Sequence, residues 1–141
     1  MNKNISEIYS LLQEIAWHFG NHGFDGECCE DLTLVEFMAL KKANENHNLS
    51  VQEIANALNF TKSGATRIID RLENKGYVTR ERSPVDGRVC CVPVTLRGAE
   101  VVTRTTNNYT IYLKEKLQGL GHHQVKEIKE VLEILVKAVQ A

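Results

Sequence analysis

The sequence predicts a mainly α fold with a small β-hairpin wing, a winged helix-turn-helix unit with further helices on both sides. Three observations predict it. Two short apolar-periodic runs meet at Asn59-Phe60, an alternating segment with an Asp86-Gly87 turn follows at once, and amphipathic runs flank this unit.

The first helix is carried by Ile5, Ile8, Leu11, Leu12, Ile15 and Phe19, and should end before Gly20-Asn21-His22-Gly23. Its apolar stripe is expected to pack on the C-terminal helices. Thr33 with Glu36 three residues on forms a capping box, opening a helix through Phe37, Leu40 and Ala43 to about Asn46. Ser50 with Glu53 repeats that signal. Val51, Ile54, Ala55 and Leu58 then fall on one face, and the run stops at Asn59, which tolerates the left-handed conformation. Thr61 caps a fourth helix, whose apolar positions Ala65, Ile68, Ile69 and Leu72 continue until Gly76 supplies a stop. Small Ala55 and Ala65 allow the two helices to cross closely.

Residues 77–82 alternate as a strand, 83–88 turn, and 89–94 return. Pro93 cannot donate to a ladder, so that strand end is predicted to be an edge. Thr95 caps a long helix through Val101, Val102, Tyr109, Leu113 and Leu117, broken by Gly119 and Gly121. In the last segment Val125, Ile128, Leu132, Leu135 and Val139 recur at spacings of 3, 4, 3 and 4, a seam suited to helix pairing or to packing within one chain.

A length of 141 residues, 43% of them hydrophobic, suits one domain with a modest core. The net charge of −1 hides an uneven distribution. Residues 1–60 hold 3 basic and 9 acidic residues (net −6), residues 61–88 hold 7 and 4 (net +3), and residues 89–141 hold 7 and 5 (net +2). Positive charge therefore collects on the second helix of the pair and the hairpin, where a nucleic acid would bind. No apolar run approaches the ~20 residues that span a bilayer, and the start lacks a signal-peptide pattern, so a cytoplasmic protein without a membrane partner is expected. Four cysteines in adjacent pairs make a poor disulfide framework and are read as free thiols. No nucleophile-base-acid set or phosphate loop is present, which argues against an enzyme.

The fourth helix carries Thr61, Lys62, Ser63, Thr66 and Arg67 near its start, with Gly64 leaving room for close approach. Hydroxyls and cations there suit a major groove, and the helix N-terminus attracts anions. The alternative is a solvated helix face. The hairpin that follows favours DNA reading: Arg88 at its tip can enter a minor groove, and Asp86, two residues away, can hold that guanidinium or a neighbouring Arg in place.

At these residues the chain resembles the MarR family of winged-helix transcription regulators. The resemblance rests on Thr66-Arg67-Ile68-Ile69-Asp70-Arg71-Leu72-Glu73, then Lys75-Gly76-Tyr77-Val78, then Asp86-x-Arg88 leading to Val94-Thr95 and Gly98. Val94, where relatives often have Leu, and Pro93 beside it depart from the pattern. The resemblance implies one domain over 1–141, with a DNA-binding region at 33–98 and homodimerisation helices at 1–20 and 99–141. It also implies a pseudo-palindromic double-stranded operator, no required cofactor, and repression released by a small-molecule effector, a metal or a thiol-modifying signal. The DNA-contact candidates are Ser50, Thr61, Lys62, Ser63, Thr66, Arg67, Arg71, Arg82, Asp86 and Arg88. The competing reading is a winged-helix protein-interaction module that does not read DNA.

Three groups are candidates for sensing. His18, His22, Glu27, Cys28, Cys29 and Glu30 concentrate ligands suited to Zn²⁺ or another thiophilic species, or form a surface loop with incidental thiols. Cys90 and Cys91 should point to opposite faces of the returning strand, one as a small core hydrophobe and the other open to oxidation or arsenicals. Peroxide-sensing relatives carry their reactive Cys in the first helix, and this first helix has none. Trp17, Phe19, Phe24 and Phe37 are either core aromatics or the lining of an aromatic effector pocket.

Overall fold

Five helices begin at a short polar residue that satisfies a backbone N–H left free by the first turn. In the computed structural model, which describes residues 2–21 and 30–140, Asn2 opens α1 (Lys3–Ala16) and Thr33 opens α2 (Leu34–Glu45). Ser50 opens α3 (Val51–Leu58) and Thr61 opens α4 (Lys62–Asn74). Thr95 opens α5 (Leu96–Lys116), its hydroxyl accepting the Gly98 N–H at 3.1 Å. A sixth helix, α6, spans His122–Gln140. Both capping boxes form in full, with the Glu36 and Glu53 carboxylates reaching back to the N–H of Thr33 and Ser50. Contrary to expectation, α1 does not stop before Gly20 but continues as a π-helical turn over Trp17–Asn21.

Asn59 takes the left-handed conformation at φ 57°, turning the chain so that the Phe60 N–H reaches the Ala55 carbonyl at 2.9 Å. Gly76, at φ 83°, ends the α4 segment in the same way. Ala55 and Ala65 are both buried, which lets α3 and α4 pack closely, as their small side chains predict. The core joins α2, α3, α4, the hairpin and the start of α5, with Leu40, Ile54, Ile69, Leu72, Val78, Val92 and Val101 fully enclosed.

The hairpin corrects the expected strands, which are far shorter than residues 77–82 and 89–94. Only β1 (Glu81–Arg82) and β2 (Cys90–Cys91) pair, antiparallel, with Glu81 opposite Cys91 and Arg82 opposite Cys90. Below them the arms touch at a single Val78–Val94 bridge, beside Pro93, which has no N–H to give. The Pro93 carbonyl instead accepts the Thr79 N–H at 3.0 Å. Nor is the returning arm an open edge throughout: Cys91 bridges to Ser50, and the Val92 N–H donates to the Leu49 carbonyl at 2.9 Å.

The chain forms two compact units, Met1–Thr106 and Asn107–Ala141. The boundary falls inside α5, whose residues Gly98, Val101, Val102 and Thr105 are buried within the first unit. Neither α1 nor α6 has a buried residue; Ile5, Leu11 and Ile15 of α1 and Val131, Ile134 and Val139 of α6 are all exposed. Among the described residues no helix is long and apolar enough to cross a membrane.

Candidate nucleic-acid interface

The start of α4 is built by local hydrogen bonds. Thr61 Oγ1 accepts the Gly64 N–H at 3.0 Å and lies 3.3 Å from Ser63 Oγ. A Cβ at Gly64 would sit 3.1 Å from that same Thr61 oxygen, so the glycine keeps the cap compact. Thr66 turns its hydroxyl back to the Lys62 carbonyl at 2.9 Å, leaving the oxygen's acceptor capacity outward. Lys62, Arg67 and Arg71 are exposed, and no acidic group among the described residues pairs with them.

The hairpin tip is held by its own side chains. Ser83 Oγ accepts the N–H groups of Val85 and Asp86 at 3.2 and 3.3 Å. Asp86 Oδ1 accepts the Arg88 N–H at 3.0 Å and Arg88 Nε at 3.2 Å. Those two bonds hold the Asp86 carboxyl below its ordinary pKa. Arg82 donates to the Gly87 carbonyl at 2.9 Å, bracing the tip from the first arm. Arg88 itself stands clear, its side chain 92% exposed with the guanidinium aimed by Asp86. The Asp86–Arg88 contact expected from their spacing is therefore present.

Between α4, the start of α3 and the hairpin runs an open groove of about 430 Å³, lined in part by Lys62, Thr66, Asp70, Arg80, Arg88 and Cys90. Ser50 also borders it. It is buried, and its hydroxyl accepts the Glu53 N–H at 3.0 Å. Arg80 escaped the sequence reading. Its guanidinium donates to Asp70 Oδ1 at 2.5 Å, Glu73 Oε1 at 2.8 Å and the Thr66 carbonyl at 3.3 Å, tying the first hairpin arm to α4.

The far end of α4 is anchored too. Lys75 Nζ donates to the Asp31 carbonyl at 2.6 Å and to Glu36 Oε1 at 3.2 Å, while the Tyr77 hydroxyl donates to Asp31 Oδ1 at 2.7 Å. Burial pushes the Tyr77 phenol up, and the neighbouring Asp31 carboxylate pushes it the same way. None of these partners is close in sequence, and no local signal announces them.

Of the sensing candidates, Cys91 is buried, and Cys90 is half-buried, lining the groove and packed against the core, both as free thiols. His22, Glu27, Cys28, Cys29 and Phe24 lie outside the described residues. His18 is exposed, whereas both oxygens of Glu30 accept from Arg104, each at 2.9 Å. Among the described residues no group of three or more metal-ligating side chains comes together. Phe37 is a core residue, and Trp17 and Phe19 are exposed.

The model of the MarR family matches residues 32–90, the stretch from the start of α2 to the returning arm of the hairpin. The HTH-type transcriptional regulator PrsX of Escherichia coli is 40% identical over 88 residues, which cover 62% of this chain and 52% of PrsX, so the chain spans about half the length of that relative. The HTH-type transcriptional regulator BilQ of Clostridioides difficile (strain CD3) is 30% identical over 102 residues, covering 64% of this chain and 68% of BilQ. Among solved structures, a MarR family protein from Bacillus stearothermophilus superposes with a TM-score of 0.84 at 22% identity, covering 100% of this chain and 99% of that one.

Proposed function

Because the chain belongs to the MarR family, we propose that it is a dimeric, sequence-specific regulator of transcription that binds double-stranded DNA. In this reading it is a repressor, released by a small molecule, a metal or a thiol-modifying signal. One observation carries the DNA reading: the exposed α4 cations Lys62, Arg67 and Arg71 have no acidic partner among the described residues, and Lys62 shares a groove with Arg88, which is solvent-exposed and aimed by Asp86. Lys62, Arg67 and Arg71 would meet phosphates or groove edges, with Thr61, Ser63 and Thr66 offering hydroxyl oxygens to base edges. Arg88 would enter the adjoining minor groove, and Arg82 would hold the tip that carries it. A two-fold dimer joined through the exposed apolar faces of α1 and α6 would present two such heads to a pseudo-palindrome.

The test is selection from a random double-stranded DNA pool by protein purified under reducing conditions and assayed for bound metal. It is repeated with Zn²⁺, an oxidant and an arsenical. Enrichment of a pseudo-palindrome, with affinity shifted by one treatment, is the expected result. Failure to enrich any sequence under every condition overturns the DNA reading in favour of a protein-interaction module.

A further inference from the structure

Taking the DNA reading as its premise, we propose that Arg80 is a positioning residue that acts as the built-in counter-ion of the recognition helix, without itself contacting DNA. Thr66, Asp70 and Glu73 lie at i, i+4 and i+7 and so share one stripe of α4. Its first two members, Thr66 and Asp70, line the same groove as Lys62 and Arg88, and the stripe places two carboxylates on the helix that has to approach a polyanion. The Asp70 and Glu73 side chains are 52% and 40% exposed, too open for burial to mask them. Phosphates within a Debye length, about 8–10 Å at physiological salt, would be repelled by both.

Arg80 meets this demand with one group. Its planar fork reaches both carboxylates at once, and the remaining donor contact goes to the Thr66 carbonyl. Only 26% of its side chain is exposed, against 92% for Arg88, so its charge is directed into the protein and not outward. Burial works against the cation, but Asp70 and Glu73 outweigh it and hold the guanidinium more firmly protonated. Because Arg80 belongs to the first hairpin arm, the same bonds fix that arm against α4. The wing and the helix would therefore reach the two grooves at a set angle.

A counter-ion and a phosphate contact differ in one measurable respect, their dependence on the carboxylates. The experiment is a double-mutant cycle on the full chain, with operator affinity measured by fluorescence anisotropy across a salt series. Its corners are wild type, Arg80→Ala, Asp70→Asn/Glu73→Gln, and the triple variant. Arg80→Ala should weaken binding roughly tenfold while the carboxylates are present, and less than about twofold once they are neutral. Thermal melts establish that each variant is folded, and Arg80→Gln replaces Arg80→Ala if the alanine variant is not. A loss of equal size in both backgrounds, with the salt slope reduced by about one, identifies Arg80 as a phosphate contact and overturns the proposal. Unaltered affinity in Arg80→Ala overturns it as well. Arg88→Ala is the control for the premise: if wild type and Arg88→Ala bind no sequence selectively, it is the DNA reading that has failed, and the counter-ion role falls with it.

Discussion

Single residues decide how closely the backbone can approach itself and where a charge is aimed. Gly98 lies where α5 crosses the base of the wing, and a Cβ there would collide with the Tyr77 carbonyl and press on Val94. Gly98→Ala is expected to destabilise the protein by about 1–3 kcal/mol, an overpacking cost measured as a lower urea midpoint at unchanged slope. Arg88 offers the complementary experiment. Its truncation to alanine should weaken operator binding and flatten the log–log salt dependence by about one, and unaltered affinity would rule out minor-groove insertion. The Asp86–Arg88 contact was legible from sequence because its partners are two residues apart and a tight turn brings them together. The Arg80 contacts were not, because Asp70 is ten residues away across the α4-to-wing turn, and only the folded crossing brings it near.

Whole elements are held by their ends. Ser50→Ala removes the hydroxyl that accepts the Glu53 N–H, and should cost about 1 kcal/mol in a chemical denaturation experiment. The α2 cap has a second use, since Glu36 is buried and also accepts from Lys75 at the end of α4. Burial alone would raise its pKa, but the Thr33 N–H and the Lys75 ammonium more than compensate and set it below the ordinary value of 4.5. A carboxyl whose folded pKa is depressed contributes stability above its unfolded pKa, and that contribution is lost as pH falls through the folded value. The melting temperature of the wild type should therefore fall as pH drops below the ordinary glutamate range. Glu36→Gln should start lower at neutral pH and show a shallower acid dependence. Capping boxes were readable in advance because they are three-residue patterns. The short strands were not, since the returning arm divides its hydrogen bonds between the first hairpin arm and Leu49–Ser50, a contact between distant segments.

At the scale of the molecule, the informative feature is apolar surface left uncovered. Isolated exposed leucines are ordinary, but helices as amphipathic as α1 and α6 with no buried residue have an unmet demand for a partner. In the proposed dimer that partner is a second copy. Leu132→Glu, in the seam of α6, is expected to shift sedimentation velocity profiles from dimer to monomer. Operator affinity should fall with it by roughly tenfold or more, since one head would bind where two did. A variant that remains dimeric would place the interface elsewhere.

The order of helices, their caps, the turn at Asn59, the stop at Gly76 and the aimed Arg88 were all determined by local chemistry. Patterns within a few residues select the conformations and hydrogen bonds available to a short segment, whatever the remainder of the chain does. Tertiary structure alone decided that Ser50 is buried in the groove wall, that Lys75 and Tyr77 close on Asp31, and that Arg80 neutralises the carboxylates of α4. Each of those depends on which side chains long-range packing brings within about 3 Å. Charge and periodicity along the chain name the groups that need partners, but the crossing of elements chooses the partners.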